Sequence, residues 1–84
     1  MMVEVFKTNV KDQDVADKLT DHIHRNFIGY KANFDLQDCD HILRVKSVTG
    51  SIESTHIIYL LNEYGCTAEI LQDEINQFTG IENA

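Results

Sequence analysis

Basic residues are missing from the second part of this chain. Every Lys and Arg lies at or before Lys46, and the stretch from Ser47 onward carries six carboxylates with no fixed positive charge. Together with a net charge of −7 this sets the electrostatics against polyanions, so neither nucleic acid nor an anionic membrane is an expected partner. Cysteine is scarce. Cys39 and Cys66 stand far apart, in neither a CxxC pair nor a secreted-type framework, which points to reduced thiols in a cytoplasmic protein. Long apolar runs are lacking too. The longest, Ile57 to Leu61, is far too short for a bilayer, and the opening MMVEVFKTNV has no basic flank followed by an apolar run, so neither secretion nor membrane insertion is expected.

What is present is a set of short periodic groups. With 84 residues the chain has room for one core. Val3 to Thr8 mixes β-branched and aromatic residues with Glu4 and Lys7 and reads as a strand, its inward face open between Val3/Val5 and Phe6. A polar turn, Asn9 to Asp12, leads to a helix of about four turns carrying Val15, Leu19 and Ile23 at i, i+4, i+8, with Ala16 widening the stripe. Asp12 is the expected N-cap, and Asp14/Lys18 and Asp21/Arg25 are i,i+4 pairs on its solvent side. Tyr30 to Leu36 alternates as a strand with Tyr30, Ala32, Phe34 and Leu36 on one side. After the turn Gln37 to Asp40, His41 to Val48 forms its hairpin partner, Leu43 and Val45 opposing Arg44 and Lys46. Ser51 is the expected N-cap of a second helix with Ile57, Leu60, Leu61 and Tyr64 in its stripe, and Gly65 supplies its left-handed terminator. Cys66 to Leu71 is a fourth strand. The domain is expected to span residues 1–71, with 72–84 an acidic, partly ordered tail in which only Ile75, Phe78 and Ile81 are spaced by threes.

The order βαββαβ predicts an α+β, ferredoxin-like plait: a four-stranded antiparallel sheet with both helices on one face and the other face open. Strand directions put the loop Asn9 to Asp14, the turn Gln37 to Asp40 and the turn Gly65 to Cys66 at one pole, so both cysteines are expected there.

The phrase Leu61-Asn62-Glu63-Tyr64-Gly65-Cys66-Thr67-Ala68-Glu69-Ile70, with the Val15/Leu19/Ile23 helix before it, resembles the heavy-metal-associated domain of copper chaperones and metal-transporting ATPases. The chain is also similar to small stand-alone bacterial proteins related to that domain. The resemblance spans about Met2 to Leu71 and implies the same plait. It also implies an MxCxxC soft-metal site at the first strand–helix join, which falls here on Val10-Lys11-Asp12-Gln13-Asp14-Val15. Asp12 and Val15 stand where the two cysteines would be. A carboxylate and an isopropyl group cannot hold Cu(I), so the family's metal site does not carry over.

Other chemistry is weighed at the pole, where Asp12, Asp14, Asp38, Cys39, Asp40, His41 and Cys66 gather. Asp12, Asp14, Cys39, His41 and Cys66 are candidate ligands for a noncanonical Zn²⁺ or Cu(I) site, against the plainer reading of caps, turn formers and a small apolar thiol. No cofactor is expected on the plainer reading. His22 and His24 point about 200° apart on a helix and cannot chelate together, and His56 has no evident co-ligand; Tyr59 and Tyr64 are expected in core and rim packing. An acylphosphatase-like activity needs glycine and arginine in the first loop, and Asn9 to Asp14 has neither, so no enzyme activity is expected. An RNA-binding plait needs aromatics on the open face, where Arg44 and Lys46 stand beside Glu69. The expected function is that of a small binding or regulatory module that associates with a protein partner or a second copy of itself. Its surface is Phe6, Ile42, Arg44, Lys46, Glu69 and Leu71, on the assumption that Val3 and Val5 point inward.

Overall fold

The structure, a computed structural model, describes residues 1–71; the expectations for 72–84 lie outside the described residues. Among the described residues alternation and capping produce β1 (Met2–Thr8), α1 (Gln13–Asn26), β2 (Tyr30–Asp35), β3 (Ile42–Ser47), α2 (Ser54–Glu63) and β4 (Ala68–Ile70). The strands form one antiparallel sheet in the order β2-β3-β1-β4, the ferredoxin-like arrangement.

The core forms where the inward faces of the strands meet both helices. Phe6, Ala32, Leu43 and Val45 from the sheet join Ala16, Leu19 and Ile23 of α1 and Ile57, Leu60 and Leu61 of α2 in a single buried cluster. Both helices therefore cover the same side of the sheet. The register fixes the phase of β1, because Phe6 lies opposite Leu43 and cross-strand partners share a face. Phe6 is fully buried, while Val5 stands opposite Arg44 and Val3 opposite Lys46. The choice left open for β1 is thus settled against the assumption that Val3 and Val5 point inward: Phe6 joins the buried cluster with residues of both helices, and the smaller valines take the open side.

Local chemistry sets the element ends. Asp12 caps α1, its Oδ1 accepting the Asp14 N–H at 2.9 Å. Ser51 does not cap α2. The helix begins later, at Ser54, after Glu53, whose N–H donates to the buried Tyr30 hydroxyl at 2.6 Å and whose carbonyl accepts from His56 and Ile57. At its far end Gly65, at φ +79°, donates to Asn62 O while Cys66 donates to Leu61 O, the paired bonds of a Schellman motif. The Cys66 carbonyl accepts from the Asn62 amide and the Thr67 N–H goes to the Asn9 side chain, so β4 starts only at Ala68 instead of Cys66. His41, at φ 47°, similarly delays β3 to Ile42.

Among the described residues the buried polar side chains are Thr8 and Ser47, and both are satisfied: Thr8 Oγ1 donates to His41 O and accepts from Val10 N–H, and Ser47 Oγ bonds Thr49 Oγ1.

Phe6→Ala should destabilise the fold by about 3–5 kcal/mol, the usual range for a buried phenylalanine, and Val5→Ala by much less. Urea denaturation of the two variants checks this, and the reverse order would put Val5 inside.

Candidate functional site

Helices cover one face of the sheet, and strand alternation assigns the residues of the other. These are Val3, Val5 and Lys7 on β1; Lys31, Asn33 and Asp35 on β2; Ile42, Arg44 and Lys46 on β3; and Glu69 with Leu71 at the β4 edge, where the Leu71 N–H donates to Val5 O at 2.8 Å. Ile42 is buried although it alternates with Leu43 and stands outside the core cluster, lying opposite Asp35 on β2. Of the expected interaction residues, Ile42, Arg44, Lys46, Glu69 and Leu71 therefore belong to this face. Phe6 does not.

Four of the seven basic residues, Lys7, Lys31, Arg44 and Lys46, lie on the open face, against two carboxylates, Asp35 and Glu69. The charges are not mixed evenly. Glu69 stands opposite Lys7, which also approaches Asp40 at 3.9 Å, whereas Lys31 stands directly opposite Lys46, with Arg44 on the same side of the same strand. Among the described residues none of Lys31, Arg44 and Lys46 forms a salt bridge. Like charges directly across a strand pair are destabilising. Beside them Val3 is 46% exposed, and just past the end of β3 Val48 is 63% exposed, its side chain over Gly29. The expected interaction surface left out Val3, Val5 and Lys31. The signal was present in the alternation of Tyr30/Ala32 with Lys31/Asn33, but β1 carries apolar residues in both phases.

The sheet edges are less available than the face. The outward N–H of Ala32 on β2 donates to His24 Nε2 at 2.9 Å, so α1 reaches over that edge, and β4 is three residues long.

At the cysteine pole, β1 is tied to both neighbouring loops: Thr8 N–H donates to Asp40 O, and Asn9 N–H to Thr67 O. The two cysteine-bearing turns do share one end, as the strand directions imply. The candidate ligands do not converge as a set. Among the described residues one group of three metal-capable side chains comes together, Asp38, Cys39 and Asp40, their ligand atoms within 4.8 Å of one another. Asp12, Asp14, His41 and Cys66 stand outside that group. Asp38 Oδ1 already accepts the Asp40 N–H, Asp12 caps α1, and half-buried Cys66 packs against the core. Three consecutive turn residues with two exposed do not make the closed tetrahedral shell of a structural zinc site. At the two positions where the resembled motif has thiols, Asp12 is a helix cap and Val15 is partly buried against the core.

Between the helices, His22, Asn26, Phe27, His56, Tyr59, Leu60 and Glu63 line a shallow groove of about 200 Å³, smaller than usual ligand cavities. Tyr64 takes the expected rim position, its hydroxyl 3.0 Å from His22 Nδ1. Tyr59 is 64% exposed in this groove instead of packed in the core, since Ile57, Leu60 and Leu61 form the buried stripe of α2. On the exposed face of α1, the Arg25 guanidinium bonded to Asp21 holds that carboxyl below the usual carboxylate range. No helix of the described residues is long and apolar enough to cross a membrane.

Comparison with protein-family models, with curated proteins and with solved structures finds no match.

Asp12→Ala should cost about 1 kcal/mol through the lost cap, and Asp12→Asn should retain most of the stability because its amide oxygen can accept the same bond. Thermal or urea unfolding of the pair separates a capping role from a ligand role, since equal losses in both would mean that the negative charge matters more than the cap.

Proposed function

We propose that this protein is a small, non-enzymatic binding or regulatory module of the cytoplasm, related in plan to the heavy-metal-associated domain, that acts by associating with a protein through its open sheet face. The observation that carries this reading is the combination on that face of exposed Val3 and half-buried Val5 with basic side chains, of which Lys31, Arg44 and Lys46 form no salt bridge among the described residues. Apolar centres rimmed by polar and basic groups are the usual composition of association surfaces. A face-directed mode is also favoured over strand addition, since His24 occupies part of one edge and the other edge strand is short.

The non-enzymatic part of the proposal draws support from the first loop, Asn9 to Asp14, whose carboxylates and missing glycine and arginine do not suit the anion-binding loop of an acylphosphatase-like site.

A photo-crosslinking side chain placed at Val5 should trap a defined protein partner, and one placed at Lys18 on the outer side of α1 should not. Val5→Glu should reduce capture by a label placed at the neighbouring Val3. A partner trapped equally from Val5 and Lys18 would sink the open-face assignment. Native mass spectrometry of the reduced protein gives the second arm: a stoichiometric Zn²⁺ or Cu(I) adduct lost in Cys39→Ser would replace this reading with metal handling.

A further inference from the structure

We infer that the partner surface recognised by the open face is an acidic protein segment carrying aliphatic side chains, held by Lys31, Arg44 and Lys46 around Val3 and Val5. This rests on the association reading above and specifies the chemistry of the partner. Two observations lead to it. Lys31 and Lys46 are directly cross-paired on adjacent strands, an arrangement that weakens the free sheet, and Arg44, on the same side of the sheet, forms no salt bridge among the described residues. A carboxylate brought to this cluster converts a local repulsion into attraction, which is the electrostatic complementarity that selects partners. The valines beside the cations supply the second requirement. Val3 faces Lys46 and Val5 faces Arg44 across the β1–β3 ladder, so an aliphatic side chain and a carboxylate of one segment can be met within a single pair of strands.

Other occupants fit less well. Two copies of this face would bring the cluster of Lys31, Arg44 and Lys46 against itself. A nucleic acid would find no aromatic residue among the described residues of the face on which to stack a base. A long polyanion would also meet the remaining surface of a chain with net charge −7. A short acidic segment avoids all three difficulties.

The test is selection from a random-peptide display library on the immobilised full chain, followed by binding measurements with the recovered peptides. Acidic peptides containing Val, Ile or Leu should be enriched. Arg44→Gln combined with Lys46→Gln should weaken their binding about tenfold or more, a loss of about 1.4 kcal/mol, and Val5→Glu should weaken it similarly, whereas Lys18→Gln should not.

Lys31→Glu provides a readout that a folding defect cannot mimic. By giving Lys46 an opposite charge it should raise the urea midpoint while it lowers peptide binding. A raised midpoint with binding unchanged overturns the inference, as does enrichment of neutral or basic peptides, or tighter binding of a short single-stranded oligonucleotide than of any acidic peptide. Displacement of the Lys31, Arg44 and Lys46 amide resonances of the free protein by Asp73→Lys with Glu74→Lys would also overturn it, since the occupant would then be this chain's own segment. A partner crosslinked from Val5 through a basic or neutral segment would defeat this inference and leave the association reading standing. Absence of any partner at Val5 would defeat both.

Discussion

The pairing of Phe6 with Leu43 sets the phase of the pleat, and most of the molecule's other properties follow from that phase. A strand has period two, so one residue of slip exchanges every inward side chain for an outward one. With Phe6 inward, it belongs to the same buried cluster as Ala16, Leu19, Ile23, Ile57 and Leu61, and Thr8 reaches the His41 carbonyl. The same choice sends Val3, Val5 and Lys7 to the uncovered face beside Arg44 and Lys46. The packing requirement of one aromatic ring thus decides the composition of a surface that the ring never touches.

Net charge is a poor guide to that surface. The chain is strongly acidic as a whole, yet the carboxylates of the described residues concentrate on α1 and on the turns, while the open face gathers most of the basic groups. Averaged over the sequence the two regions cancel toward a single negative value, which weighs against polyanions in bulk and says nothing about a contact a few residues wide. The distinction matters because electrostatic fields at distances beyond a Debye length reflect the sum, whereas docking depends on the patch.

The architecture could be read from the chain because each signal was local and redundant. Alternation in Tyr30 to Leu36, the Leu19/Ile23 stripe, the Asp12 cap and the Gly65 terminator each identify an element with few competing interpretations. β1 was ambiguous for the opposite reason: Val3, Val5 and Phe6 put apolar side chains in both phases, and the deciding partners, Leu43 and Ile70, lie far away in sequence. Ser51 had the right chemistry for a helix cap but lost to the Tyr30 hydroxyl, which holds the Glu53 N–H from another element. The polar pole came together as the strand directions require, but its side chains were already committed to caps and turns, which spacing alone does not reveal. His24 and Ala32 could not have been paired by pattern either, since their hydrogen bond depends on how α1 lies along the sheet.

That last bond bears on how copies of this protein can aggregate. Propagation of a sheet through many molecules needs two compatible edges, one to receive a strand and one to offer it. With the imidazole of His24 seated on the middle of β2, strand-by-strand growth on that side meets a donor that is already satisfied, leaving β4 as the freer side. Edge-to-edge association confined to β4 would close after two molecules, so a single side chain on α1 biases this sheet toward termination instead of fibre growth.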